Sequence, residues 1–135
     1  MASAIFSVLF IFTTAWPQPL SGGKEAALDQ EFEIRIGERV SIKKEGLTVS
    51  FTRVAEDSRC PEGVQCIWAG NGKILLRVSK ARRRAATMRL NTGMEPRQDD
   101  YRGYDVKLVN LNPYPKEGVG IKRKEYVATL IVSRK

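Results

Sequence analysis

From Phe32 onward, apolar and polar residues alternate in short runs, which is the pattern of half-buried β-strands. The runs are separated by residues that favour turns, chiefly Gly, Pro, Asn and Asp. They centre on residues 32–36, 40–42, 47–51, 74–78, 86–90, 104–111 and 126–132. We therefore predict an all-β fold, a two-layer antiparallel sandwich or partly open barrel of about seven strands.

Two of these runs break the two-residue rhythm. Val54 is out of phase with Phe51, and Val109 is out of phase with Leu108. An extra residue that shifts the alternation is typical of a β-bulge, so we expect one at each place. The last run, 126–132, is apolar on both faces and is expected to be a central strand.

Two segments are harder to interpret. Lys80 to Leu90 fits either a helix or a strand, and we favour the strand because Ala86, Met88 and Leu90 alternate with polar residues. Residues 91–103 lack an apolar rhythm and are predicted to form a polar loop.

The N-terminus predicts export. Residues 5–16 are apolar and uncharged, too short to span a bilayer but suited to the centre of a secretory signal, although no Lys or Arg precedes them. We assign residues 1–27 to a signal peptide and short linker, and 28–135 to one β-sandwich domain. The mature chain is expected in the periplasm or outside the cell, without a transmembrane segment.

Two cysteines, Cys60 and Cys66, flank a turn-forming stretch with Pro61 and Gly63. In an oxidising compartment this spacing favours a disulfide, whose small ring contributes about 2 kcal/mol of stability. A zinc site is disfavoured because it needs four ligands and the chain has no histidine. A redox pair would favour a closer spacing.

Trp68 lies two residues beyond the second cysteine and has two interpretations. In the first, its indole covers the sulfurs and closes one end of the core. In the second, the ring forms a rigid, exposed recognition loop with four contact residues, because a preorganised loop loses little entropy on binding. Those residues are Glu62, Val64, Gln65 and Trp68.

The same segment resembles the signature of a family of small exported bacterial proteins, many of them lipoproteins, to which no activity is assigned. The shared residues are Asp57-Ser58-Arg59-Cys60-Pro61, Cys66, Trp68, Ala69 and Gly70. The resemblance implies export and the disulfide, and it supplies no activity. This chain departs from the lipoprotein members because no cysteine lies near the end of its apolar N-terminal run.

The composition is basic, with 23 Lys and Arg against 15 Asp and Glu and a net charge of +8. Such a balance favours anionic partners but also keeps proteins soluble. Consecutive charges are often found on solvent-facing turns, yet two clusters are candidates for anion binding if the fold brings them together. They comprise Lys80, Arg82, Arg83, Arg84, Lys122, Arg123 and Lys124.

No catalytic motif is recognisable in the sequence. Without histidine a serine or cysteine nucleophile would need another base, and the chain has no nucleophile elbow or phosphate-binding glycine loop. Asp99, Asp100 and Asp105, with Glu95 nearby, lack the spacing of a calcium loop and are expected in a solvated loop. We expect no enzyme activity, cofactor or metal.

The sequence therefore predicts a monomeric, non-enzymatic binding or structural module of the bacterial cell envelope. Its partner is an unknown protein or an anionic envelope component. An alternative is an anion-binding surface protein for acidic polysaccharide, lipid headgroups or nucleic acid, the last disfavoured because few aromatics accompany the basic clusters. A second alternative is a secreted protease inhibitor, since Asn112-Pro113-Tyr114 resembles the start of a loop in chagasin-type inhibitors.

Overall fold

The structure is a computed structural model that describes residues 23–135. The predicted signal segment therefore lies outside the described residues, apart from its last few positions. The described part contains nine strands and one short 3-10 helix, Arg123–Glu125. The strands are β1 Lys24–Ala26, β2 Phe32–Arg35, β3 Arg39–Ile42, β4 Leu47–Asp57, β5 Gly72–Lys80, β6 Ala86–Asn91, β7 Gln98–Tyr101, β8 Tyr104–Asn112 and β9 Val127–Arg134.

The strands form two sheets, as expected of a sandwich and not of a closed barrel. One sheet has the order β1-β3-β4-β5-β6 and the other the order β2-β9-β8-β7. All pairs are antiparallel except β1 with β3, which is parallel. The all-β prediction is confirmed, with one parallel pair that it did not include.

The alternating residues pack between the sheets as one core. In β5, for example, Ile74, Leu76 and Val78 are completely buried. Both predicted bulges occur as register shifts, in β4 after Phe51 and in β8 after Leu108. β9 lies between β2 and β8 and is the central strand that its two apolar faces predicted.

Two strands were not predicted. β7 lies within residues 91–103, so the loop prediction is wrong at Gln98–Tyr101. This strand is at the edge of its sheet and buries only Tyr101, so hydrophobic alternation could not reveal it. β1 lies inside the range 1–27 assigned to leader and linker, and signal cleavage after Ala26 or Ala27 would remove it.

The connections between strands gather at two opposite ends of the sandwich. The disulfide end, as we name it, contains the long connections β4–β5 (58–71), β6–β7 (92–97) and β8–β9 (113–126). The turn end contains the β3–β4, β5–β6 and β7–β8 turns, residues 43–46, 81–85 and 102–103. β5 spans nine residues between them, or about 30 Å of strand. Among residues 23–135 the structure contains no helix that could serve as a membrane span.

Candidate functional site

The cysteine segment forms the centre of the disulfide end. Cys60 and Cys66 are bonded to each other, which confirms the predicted disulfide. Within the ring, the Val64 amide donates to the Pro61 carbonyl at 3.2 Å. Gly63 is the third residue of this turn and has a φ of +86°, a value that favours glycine. The turn thus comprises residues 61–64, between the two cysteines.

A buried ion pair, Asp57–Arg59, directly precedes this ring in the sequence. Arg59 is only 7% exposed, and its guanidinium holds both carboxylate oxygens of Asp57, with Nε–Oδ1 at 2.7 Å and Nη2–Oδ2 at 2.8 Å. The same guanidinium donates to the carbonyl oxygens of Leu111 and Pro113 at 2.5 and 3.0 Å. Arg59 therefore ties the cysteine segment to the end of β8 and the connection that follows.

Two tyrosines complete this cluster. The Tyr126 hydroxyl donates to Asp57 Oδ2 at 2.8 Å, and the Tyr114 ring centre lies 5.5 Å from the Arg59 guanidinium carbon. Burial raises the pKa of Asp57, but hydrogen bonds from Arg59 and Tyr126 outweigh this effect and lower it below its usual value. Burial, with the Asp57 carboxylate, raises the pKa of Tyr126 to about 12.

A second buried network joins the β4–β5 and β6–β7 connections. Asn71 Nδ2 donates to Asn91 Oδ1 at 2.8 Å, and the Gly93 amide donates to Asn71 Oδ1 at 3.0 Å. Asn91 Nδ2 in turn donates to the Pro96 carbonyl at 3.1 Å. Every buried side-chain nitrogen or oxygen described in residues 23–135 has a hydrogen-bond partner. The three long connections are thus held together by buried polar contacts.

Large hydrophobic side chains nevertheless project into solvent from these braced connections. Ile67 is 95% exposed and Trp68 is 80% exposed. Over residues 23–135, the large hydrophobic side chains that are exposed all lie on the three connections of the disulfide end. This group, which we name the apolar apex, consists of Val64, Ile67, Trp68, Met94, Tyr114 and Val119.

The exposure of Trp68 corrects the first interpretation of this residue, in which the indole closes the core. The buried side chain that joins this segment to β8 is instead Arg59, whose guanidinium donates to the Leu111 carbonyl. The predicted recognition residues Glu62, Val64, Gln65 and Trp68 are all exposed. The Glu62 amide donates to the Pro115 carbonyl at 2.9 Å, which joins this loop to the β8–β9 connection.

Beside the ring, the β8–β9 connection forms an open groove of about 470 Å³. Pro113, Tyr114 and Val119 line it together with Ile121 and Lys116. A second groove of about 440 Å³ runs between Pro61 and Val119. Concave surface therefore adjoins Tyr114 and Val119 of the apolar apex.

The structure does not bring the two predicted basic clusters together. Arg82, Arg83 and Arg84 are exposed in the β5–β6 turn at the turn end, whereas residues 122–124 are exposed just before β9 at the disulfide end. Lys80 adjoins the first cluster, and its Nζ donates to the Tyr104 hydroxyl at 2.9 Å. Each cluster therefore has to be considered by itself as an anion site.

The prediction that Asp99, Asp100 and Asp105 lie in a solvated loop is wrong, because the first two are in β7 and the third is in β8. Asp100 and Asp105 both lie near Lys135 Nζ, at 3.7 and 3.8 Å. Within the described range, no group of three or more His, Cys, Asp or Glu residues is arranged to hold a metal ion.

Comparison of the chain with protein-family models, with curated proteins and with solved structures finds no significant match. Sequence reasoning missed the Asp57–Arg59–Tyr126 cluster and the contributions of Met94 and Val119 to the apex. The Asp-x-Arg spacing was an available signal, because residues i and i+2 lie on one face of extended chain.

Proposed function

We propose that the protein is an exported, non-enzymatic binding module of the cell envelope, and that the apolar apex is its contact surface for a protein partner. One observation carries this proposal: the exposed large hydrophobic residues of the described chain are concentrated on three connections at one end of the sandwich. Exposed apolar clusters mark interaction sites more often than scattered surface residues do. Connections on a rigid scaffold are also where binding residues concentrate.

The bracing of the apex supports the same proposal. A disulfide, a buried ion pair and a buried amide network restrain the three connections before any partner arrives. Restrained loops lose less conformational entropy on association, so more of the contact energy appears as affinity. Trp68 and Tyr114 supply the aromatic side chains that often dominate protein interfaces.

The charge of the apex favours a protein over a polyanion. The three connections together carry six Lys and Arg residues and four Glu residues, and Arg59 is neutralised by Asp57. This surface is close to neutral, unlike the chain as a whole. Export is supported by the disulfide, which persists in oxidising compartments, and by the apolar run at residues 5–16.

The test is capture of the partner with and without the apex. Native envelope extract is crosslinked to the wild-type protein, and the captured protein is then titrated against Ile67→Ser/Trp68→Ala and the control variant Thr87→Ala. Thr87 is exposed on β6, away from the apex. We expect the double variant to lose at least ~30-fold in affinity, as hot-spot residues do, and the control to bind normally. Undiminished binding by the double variant would contradict the proposal.

One observation favours a second candidate, a protease inhibitor. Asn112-Pro113-Tyr114 lies at the same end as the cysteine ring, so several loops project together as a potential wedge. Inhibition assays against papain-like peptidases test this function directly. An absence of inhibition at micromolar protein would remove it.

A further inference from the structure

The surface of the turn end is positively charged, in contrast to the hydrophobic surface of the apolar apex. Three neighbouring turns present six exposed cationic side chains, which we name the basic band: Lys43, Lys44, Arg82, Arg83, Arg84 and Arg102. The Ala81 amide donates to the Gly46 carbonyl at 3.0 Å, and the Tyr101 hydroxyl donates to the Arg84 carbonyl at 2.8 Å. These two bonds hold the three turns side by side, although the residues are up to 59 positions apart.

Three acidic residues at this end, Glu45, Asp100 and Asp105, are paired with cations outside the basic band. Arg134 binds Glu45 through both carboxylate oxygens, at 2.6 and 2.5 Å. Lys135 lies near Asp100 and Asp105. Within residues 23–135, none of the six side chains in the band forms an ion pair. Asp29 and Glu31, exposed in the β1–β2 connection at the same end, pair with none of the six either. The six cations are therefore free of direct ion pairs and available to a ligand.

The band has the shape of a row. It begins at the β3–β4 turn, continues through the β5–β6 turn of the same sheet, and crosses to the β7–β8 turn of the opposite sheet. Neighbouring strands are about 5 Å apart and packed sheets about 10 Å apart, so the row extends roughly 20 Å. A row of cations complements a linear anionic chain, and each guanidinium can hold a carboxylate or sulfate group with two hydrogen bonds.

We propose that the basic band binds an extended acidic polysaccharide, a second function distinct from that of the apolar apex. Its surroundings favour this partner over other polyanions. The exposed large hydrophobics described in 23–135 lie at the other end, so none is present here to insert into a bilayer. Tyr101 and Tyr104, the aromatic residues beside the band, are buried and cannot stack on nucleic acid bases.

The chain supplies a matched control for the test. Arg82→Glu/Arg83→Glu/Arg84→Glu and Lys122→Glu/Arg123→Glu/Lys124→Glu change the net charge equally, at opposite ends of the sandwich. Binding is measured by titration with a heparin oligosaccharide at 100 mM salt, with thermal melting to verify that each variant folds. We expect the first variant to lose at least ~10-fold in affinity and the second to lose less than ~3-fold. Equal losses would overturn the proposal.

A second variant tests the band without reversing charge. Lys43→Gln/Lys44→Asn removes two cations far from Arg82 in sequence, and asparagine suits the positive φ of Lys44, +64°. We expect a loss of at least ~3-fold, and wild-type affinity should fall steeply with salt, as for other polyanions. Unchanged heparin affinity in this variant would contradict the proposal that the basic band binds polysaccharide.

Two further probes test the choice of partner. Wild-type protein is titrated with vesicles containing phosphatidylglycerol and with a single-stranded oligonucleotide, and weaker binding to both than to heparin supports the proposal. Binding to either as tight as to heparin would overturn the assignment to polysaccharide. Capture of the protein partner through the apolar apex is a separate readout, so failure of one proposal leaves the other intact.

Discussion

At the scale of single residues, Arg59 is the one charged residue that is buried within residues 23–135. Its side chain is 5% exposed and that of Asp57 is 12% exposed, so the charges are largely shielded from water. Removing one member of a buried pair leaves the other charge uncompensated. Arg59 also joins the cysteine ring to β8, which links the stability of the pair to the shape of the candidate site.

We predict that Asp57→Asn lowers the free energy of unfolding by about 3 kcal/mol, because Arg59 stays buried without a counterion. Urea denaturation measures the change. The neighbouring Glu56→Gln is the control. Glu56 Oε2 lies 3.5 Å from Lys73 Nζ, and both side chains are much more exposed than those of the Asp57–Arg59 pair. This exposed pair should contribute less than about 1 kcal/mol to stability. Similar losses from the two substitutions would show that the buried pair has no special role.

The pH dependence of stability should carry the signature of this pair. The pKa of Asp57 is lowered in the folded state, so its contribution is complete above its unfolded pKa of about 4 and is lost as the pH falls through the folded value. The pKa of Tyr126 is raised to about 12, so its contribution is complete below about 10 and is lost as the pH rises toward 12. Unfolding curves should show a weaker acid limb in Asp57→Asn and a weaker alkaline limb in Tyr126→Phe. Wild-type limbs in both variants would contradict this assignment.

At the scale of elements, close packing of the long connections depends on Gly70. Its φ is +72°, and a Cβ there would lie 1.8 Å from the Ser58 carbonyl oxygen. Gly118 has the same φ of +72° but open space around it. The two glycines therefore share one backbone requirement and differ in a steric one.

We predict that Gly118→Ala costs about 1 kcal/mol, the backbone penalty alone, and that Gly70→Ala costs at least ~3 kcal/mol because the β4–β5 connection must also move. Thermal and urea unfolding provide the comparison. Equal destabilisation by the two variants would contradict this prediction, because it would mean that the β4–β5 connection accommodates the added Cβ at no further cost.

The elements that pack on both sides of the core were predictable, and the edges were not. Residues such as Ile74, Leu76 and Val78 reveal a strand by their spacing because the core buries every second side chain. β1 and β7 bury one residue each and are held by backbone pairing, which leaves no periodic signal.

The candidate site was predictable only where it is local in sequence. The cysteine ring and its exposed residues follow from one short segment. Met94 and Val119 belong to the apex because the strand order brings their connections to the same end, and the alternation of apolar and polar residues does not encode strand order. The position of Lys43 beside Arg82 was unpredictable for the same reason. The first interpretation of Trp68, in which its indole closes the core, was wrong. The side chain that joins this segment to the core is Arg59, through a contact with β8 between residues 52 positions apart.

At the scale of the whole molecule, charge and hydrophobicity are separated along the strands. The basic band is at the turn end, while the exposed large hydrophobic side chains of residues 23–135 are at the disulfide end. A net charge of +8 alone would suggest a uniformly basic surface. The strand topology instead sorts the two kinds of surface, because alternate connections of antiparallel strands emerge at opposite ends.

The distance between the ends has a consequence for how the two proposed ligands share the protein. With about 30 Å of strand between them, an occupant of one end leaves the other accessible. Under the two proposals the protein would therefore connect an acidic polysaccharide to a protein partner. The two sites would also differ in their response to ionic strength: concentrated salt would release the polysaccharide and leave the protein partner bound.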